Sequence, residues 1–280
     1  MNIKSIDTGF FKLDGGAMFG VVPKTIWQNL NPADENNMCN WAMRCLLAED
    51  GNRRILIDTG IGQKQSEKFY GYYFLNGNDS LERSLHNSGV DFKDITDVLL
   101  THLHFDHCGG AAKWNSNRDG YLPAFPNATY WSHEEHWQHA LCPNAREKPS
   151  FLRENIIPIQ ESGQLKFVGD DLKISENISV MLANGHTEKM MCPKNKIGDK
   201  TLVYMADMIP SLAHIPVNYV MGYDIRPLQV MEEKAAFLKE AVDNNYILFF
   251  EHDNTIECAT LGETDKGIRA IQKGKLSDFI

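Results

Sequence analysis

The sequence predicts an α/β fold that carries its reactive groups at the ends of buried strands. Apolar, strand-length runs at 95–100, 201–206 and 246–250 lead almost directly into histidine or aspartate, and 228–242 carries Met231, Ala235, Leu238 and Val242 at helical spacing. With 280 residues, 42% of them hydrophobic, the chain can bury a sizeable core, and nothing in it repeats. Residues 1–280 are therefore expected to form a single domain.

Taken in order, a short polar strand pattern opens the chain, and 15–20, Gly-Gly-Ala-Met-Phe-Gly, is too glycine-rich for a helix and too apolar for a free tail. A packed loop is expected there. It either folds over a substrate cleft, packs on its own domain or meets another subunit in a homodimer, with 21–23 and Trp27 extending its surface. A polar loop at 31–40 precedes a strand at 41–48, a turn at 49–52 and a second strand that stops at Asp58-Thr59-Gly60. The aromatic stretch 69–74 suits either a pocket wall or core packing, and Leu81 with Leu85 marks a helix. Ser132 reads as the N-cap of a further helix, with Glu135 as its capping-box partner. His133 and His136 stand three apart, one short of the zinc-protease pair, and read as structural. A helix is expected around 151–155, and strands at 165–168 and 172–182 are expected to form a hairpin about 169–171.

The densest chemistry lies at 101–110, Thr-His-Leu-His-Phe-Asp-His-Cys-Gly-Gly, where His102, His104, Asp106 and His107 fall within six positions. An apolar run enters this stretch and a glycine pair leaves it, which suits a loop at a strand end. The alternation puts His102 and His104 on one side, while Asp106 and His107 follow the turn and can reach a second ion. A single ion does not need four donors so closely placed with more downstream, whereas a binuclear site does. The later donors are His186, next to Gly185 at a strand mouth, Asp207 and His252.

This stretch resembles the His-x-His-x-Asp-His signature of the metallo-β-lactamase superfamily, and the resemblance extends from about Asp58 to His252. It implies a four-layer αββα sandwich with the metals at the strand ends. It also implies that His102, His104 and His186 hold one ion, that Asp106, His107 and His252 hold the other, that Asp207 bridges them and that Asp58 orients ligands from beneath. Seven donors, five imidazoles and two carboxylates, suit two divalent ions of the zinc type, and His104 argues against the diiron branch, where a glutamate commonly replaces it. After His186, Glu188-Lys189-Met190 departs from the Gly-His-Thr-Pro-Gly of many relatives and alters the expected loop.

Two such cations lower the pKa of a shared water and polarise the attacked carbonyl or phosphoryl oxygen, so hydrolysis is the expected reaction. Asp106 is placed to carry a proton to the leaving group. The segment 15–23, the motif and 206–253 look most like the quorum-quenching lactonase and phosphotriesterase-like branch. That favours a small-molecule lactone or ester of the N-acyl homoserine lactone type. Phosphotriester or phosphodiester cleavage and glyoxalase II-like thioester cleavage are the alternatives; a diiron redox enzyme or a non-catalytic binding module fits less well, since no room remains for a flavin module and all seven donors are present.

Composition narrows the partners. A net charge of −9 argues against nucleic acid. The N-terminus lacks the apolar core of a signal peptide and no stretch has the length of a membrane span, so a soluble, cytoplasmic protein without a membrane partner is expected. Cysteines 39, 45, 108, 142, 192 and 258 contain no CxxC pair, which indicates neither a thiolate zinc site nor a disulfide framework.

One departure bears on the substrate. The lactonases that the chain resembles place a tyrosine three residues after the bridging aspartate, where it donates a hydrogen bond to the substrate. Pro210 stands there and has no donor. His214, Tyr219 and Tyr223 follow in the same loop, and Tyr223, between Gly222 and Asp224, is the favoured replacement.

Overall fold

The computed structural model describes residues 1–280. Its first sheet comprises β1 (Asn2–Asp14), β2 (Met38–Asp50), β3 (Arg53–Ile57), β4 (Asp97–Leu99), β7 (Thr129–Ser132) and β8 (Leu165–Phe167), hydrogen-bonded in that order. A separate small hairpin, β5 (Ala112–Trp114) with β6 (Tyr121–Pro123), occupies part of the insertion-like stretch after the histidine motif. The second sheet runs in reverse sequence order through β14 (Gly267–Gly274), β13 (Cys258–Thr264), β12 (Ile247–Phe249), β11 (Lys200–Tyr204), β10 (Met190–Ile197) and β9 (Ile178–Ala183). Helices are α1 (Gly15–Phe19), α2 (Lys24–Trp27), α3 (Glu67–Gly71), α4 (Leu81–Asn87), α5 (Phe105–Cys108), α6 (Glu134–Leu141), α7 (Arg153–Glu161) and α8 (Pro227–Asp243).

Strand alternation explains the layering. Leu46, Ala48, Ile55, Ile57 and Leu99 point from the first sheet into a core shared with Leu202, Tyr204, Ile247 and Phe249 of the second. Their neighbours Leu47, Leu56 and Val98 point the other way, onto Leu85 of α4, Trp137 of α6 and Ile156 of α7. Phe237, Leu238 and Ala241 of α8 join the shared core from the second sheet's side. This is the four-layer αββα sandwich. No helix is long and apolar enough to cross a membrane, and all six cysteines are free.

Four local expectations are corrected. Residues 15–19 are helical, because Asp14 Oδ1 accepts from the Ala17 amide at 2.8 Å and supplies the missing N-cap. The turn at 169–171 joins no hairpin; it carries the chain from β8 in one sheet to β9 in the other, and β9 begins only at Ile178. Residues 172–180 instead fold back on themselves through the Val180 amide, which donates to the Leu172 carbonyl. Ser132 ends β7, and the cap position belongs to His133, whose Nδ1 accepts from the Glu135 amide at 3.2 Å. On α8 the buried stripe is Val230, Lys234, Phe237, Leu238 and Ala241, whereas Ala235 faces solvent. The face is turned because Phe237, the largest apolar side chain, takes the interior, and Lys234 is admitted once its ammonium donates to the Pro216 and Tyr219 carbonyls at 3.0 and 2.8 Å. The helix expected near 151–155 is α7, which starts at Arg153 and runs on to Glu161.

The loops that leave β3 and β4 interlock beneath the candidate site. The Thr59 amide donates to the His107 carbonyl at 2.8 Å and the Gly110 amide to the Gly60 carbonyl at 3.0 Å. A Cβ at Gly109 would stand 2.1 Å from the Ile61 carbonyl oxygen, so the approach requires glycine. Gly109→Ala is expected to lower stability by about 1–3 kcal/mol, the usual range for overpacking, read as a fall in the thermal or urea midpoint.

Candidate metal centre

Every expected donor follows the C-terminal end of a strand. β4 delivers His102 and His104, and the single turn of α5 adds Asp106 and His107. β9 leads to His186, β11 to Asp207 on a short 3-10 turn, and β12 to His252. In these loops and the one after β3, three residues have positive φ without being glycine: Asp58 at 58°, Lys189, three positions after His186, at 52° and Ala206, just before Asp207, at 45°. Such strain at loop tips is held by the surrounding packing.

The structure brings the seven side chains together in two groups. His102, His104, His186 and Asp207 have ligating atoms within 4.8 Å of one another, as do Asp106, His107 and His252. Asp207 lies between the groups, with Oδ2 at 3.1 Å from His186 Nε2 and Oδ1 at 3.1 Å from His252 Nε2. All seven are buried.

The outward nitrogens identify which lone pairs remain for a cation. His186 Nδ1 is 2.9 Å from Asp224 Oδ1, and His252 Nδ1 is 2.7 Å from the Ala42 carbonyl. His107 Nδ1 lies 3.2 Å from Asp58 Oδ2 and 3.0 Å from Glu251 Oε2. Asp58 also accepts the Thr101 hydroxyl at 2.6 Å, which leaves Thr101 Oγ1 to accept from His102 Nδ1 at 3.1 Å. Each of these acceptors draws the imidazole proton to the outer nitrogen and turns a lone pair inward. His107 Nε2 and His252 Nε2 then face each other at 3.3 Å, and His104 Nδ1 and His186 Nε2 at 3.2 Å. His102 Nε2 and Asp207 Oδ1 are buried without any hydrogen-bond partner. Converging lone pairs and orphaned acceptors fit divalent cations, and the nitrogen and oxygen donors suit them chemically.

Electrostatics points the same way. Burial, joined by the neighbouring imidazoles, lowers the pKa of His102 well below its ordinary value and keeps that ring neutral. Burial would also depress His186, but Asp207 and Asp224 outweigh it and carry the group up to about 10. For Asp207, burial is overcome by His186, His107 and His252, which hold its carboxyl well below the usual carboxylate range. Positive charge on the imidazoles thus balances the buried carboxylate, a task that a bound cation would take over.

Comparison with known proteins fits this geometry. The model of the Metallo-beta-lactamase superfamily matches residues 44–252. The chain belongs to that superfamily. An N-acyl homoserine lactonase from a Bacillus species is 24% identical over 238 residues, covering 80% of this chain and 85% of the relative. A probable metal-dependent hydrolase from Staphylococcus aureus superposes with a TM-score of 0.89 at 27% identity, covering all of this chain and 98% of that one. The dizinc quorum-quenching lactonase AidC shares the fold with a TM-score of 0.79 at 21% identity, over 98% and 95% of the two chains. The superfamily member described here is a hydrolase that carries a His/Asp metal-binding cluster.

A cleft of about 360 Å³ opens over the cluster, with Leu13, Met18, Tyr73, Phe105, Met221 and Tyr223 among its walls. Another depression, of about 410 Å³, contains none of the expected donors. Of the three residues considered in place of Pro210, Tyr223 lines the cleft and keeps 39% exposure. His214 does not, since its nitrogens engage Ser211 Oγ at 2.7 Å and the Met18 carbonyl at 2.9 Å. Tyr219 packs instead against the cluster formed by Phe19, Trp27 and Trp41. Sequence reasoning gave Asp224, Glu251 and Glu147 no role, and no local pattern marks them. Tyr73, from the aromatic stretch, does line the cleft, and burial raises its phenol to about 12, so it stays protonated.

His136 is outside both groups. Its Nε2 accepts from the Leu103 amide at 2.9 Å and its Nδ1 donates to the Glu188 carbonyl, so it fixes the residue between His102 and His104. His136→Ala is expected to cost about 1–3 kcal/mol through the unpaired Leu103 amide, while elemental analysis of the folded variant shows an unchanged metal content. His133→Ala is expected to change neither.

Proposed function

We propose that residues 1–280 act as one domain, a binuclear metal-dependent hydrolase that opens a lactone or ester, with N-acyl homoserine lactones the favoured class. The observation that carries this reading is the convergence of imidazole lone pairs, 3.2 and 3.3 Å apart, on Asp207 at the floor of an apolar cleft. His102, His104 and His186 would hold one ion, Asp106, His107 and His252 the other, and Asp207 both. Zinc suits the nitrogen-rich donor set. Divalent ions bound here supply a water of lowered pKa and polarise the scissile carbonyl.

The chain's own residues do the rest. Leu13, Met18, Phe105 and Met221 receive an acyl chain and exclude water from the reacting carbonyl. Asp106 borders the cleft, with Oδ2 3.7 Å from His107 Nε2 and 3.8 Å from His252 Nε2, and from there would take the proton that the attacking water loses and pass it to the leaving oxygen. Tyr223 stands on the same cleft and donates its phenol hydrogen to the substrate oxygen, the task for which Pro210 has no group. The lactonase relatives support the substrate class, and a panel of lactones, thioesters and phosphotriesters tests it; turnover confined to the thioesters or the phosphotriesters would replace it.

Metal-replete protein is expected to hold about two ions per chain, since seven donors exceed the demand of one tetrahedral ion. A stoichiometry of one or less would remove the binuclear reading. Asp207→Ala is expected to lower metal content and hydrolysis together, because one carboxylate faces both groups; unimpaired turnover would take Asp207 out of the site. Tyr223→Phe is expected to reduce turnover of the best lactone by roughly 10²-fold with metal content unchanged, the effect of losing one preorganised donor. Unchanged turnover would leave Tyr73 as the phenol to test.

A further inference from the structure

Four of the five clustered imidazoles have an oxygen within 3.2 Å of the outward nitrogen: Thr101 for His102, Asp58 and Glu251 for His107, Asp224 for His186 and the Ala42 carbonyl for His252. His104 is the exception. Its Nδ1 faces His186, and its Nε2 is buried with no hydrogen-bond partner. Glu147 Oε1 stands 3.8 Å from that nitrogen.

Glu147 lies in the connection between α6 and α7, is 3% exposed and borders the cleft. Its Oε2 accepts from His139 Nε2 at 2.8 Å and from Asn144 Nδ2, and its Oε1 accepts from the Thr187 hydroxyl at 2.5 Å. These donors fix the carboxylate and compensate its burial. Thr187 directly follows His186, so the same oxygen that faces His104 also braces the neighbouring ligand loop. A buried carboxylate held by three donors, with an unpartnered imidazole nitrogen just outside hydrogen-bond range, is an arrangement that a small rotation of the His104 ring completes.

We propose that Glu147 is the positioning residue for His104: it accepts the Nε2 proton, fixes the ring with Nδ1 toward His102, His186 and Asp207, and makes His104 a stronger ligand. The inference rests on the metal reading given above. The role is electrostatic as well as steric, because a carboxylate behind an imidazole raises its basicity toward a cation, and losing such an acceptor typically weakens metal binding by about 10–100-fold.

The test is a competition between the full-length protein and a chromophoric chelator, with zinc and with cobalt as probes, for wild type, Glu147→Gln, Trp137→Phe and His104→Ala. Glu147→Gln is expected to weaken one of the two ions by about 10–100-fold and shift the cobalt visible bands, with the other ion changed less than about threefold. Trp137→Phe, which removes the Trp137 Nε1 to Gln160 Oε1 bond between α6 and α7 but leaves the carboxylate and its three donors, is expected to bind both ions as wild type does. Wild-type affinities in Glu147→Gln would overturn the proposal, as would equal weakening in Glu147→Gln and Trp137→Phe, since the residue would then only hold its segment in place. If Glu147→Gln does not fold, histidine nitrogen–proton spectra of metal-loaded wild type decide. A His104 Nε2 proton protected from solvent exchange supports the bond, and a rapidly exchanging one overturns it. Failure of the metal reading is distinguishable, because His104→Ala would then match wild type in the same competition.

Discussion

The structure depends on one electrostatic constraint: imidazoles from three different strand ends, those of β4, β9 and β12, converge on a single buried carboxylate, Asp207, from a fourth. The outward nitrogens of His102, His107, His186 and His252 are tied to oxygen acceptors, so the inward nitrogens, His107 Nε2 and His252 Nε2 3.3 Å apart among them, are where a proton or a cation has to sit. Such a cluster is unfavourable in a dry interior unless positive charge enters it. The interlocked loops at 58–62 and 107–110, and the positive φ of Asp58 and Ala206, hold the donors in place against that repulsion. Cation binding is thereby linked to folding, because the relief it brings exists only in the assembled state.

The strands and the main helix were legible because each has a strong local signal. Apolar runs ending in histidine or aspartate mark β4, β11 and β12, and helical spacing marks α8. What stayed illegible was decided by contacts between distant segments. Gly169-Asp170-Asp171 has turn chemistry, but a turn alone does not say whether the chain returns to its own sheet or crosses to the next, and here it leaves β8 at the edge of the first sheet for β9 at the edge of the second. The interior face of α8 was likewise set by Phe237 and by carbonyls of 216–219 that accept from Lys234, which moved Ala235 to the surface.

The candidate site divides in the same way. The donors are compressed into a motif and a set of strand ends, and a sequence pattern finds them. Their supporting oxygens are not. Asp224 beside Tyr223, Glu251 before His252 and Glu147 in a charged connection read as ordinary polar residues, and only the rings' orientation in space gives them a task. Asp58 was legible because it stops an apolar strand, and in the structure it serves His107 directly and His102 through Thr101.

The N-terminal segment shows how a composition argument fails and what replaces it. Gly15 is required by proximity, since a Cβ there would lie 2.3 Å from the Trp27 ring, and the glycine that seemed to forbid a helix is what lets α1 lie against α2. Phe19 then stacks between Trp27 and His214, with ring centroids at 5.3 and 4.6 Å. His214 Nε2 binds the Met18 carbonyl, and the Ala17 carbonyl accepts from the Gly222 amide at 2.7 Å. The histidine that sequence reasoning offered as a substrate donor is therefore occupied in fixing α1. In turn, α1 presents Met18 to the cleft and pins the backbone beside Tyr223, so one apolar stack sets both the greasy wall and the phenol that faces it. A substrate bound over the metals would meet a surface arranged by residues up to two hundred positions away in the chain, roughly the span that separates Met18 from His214.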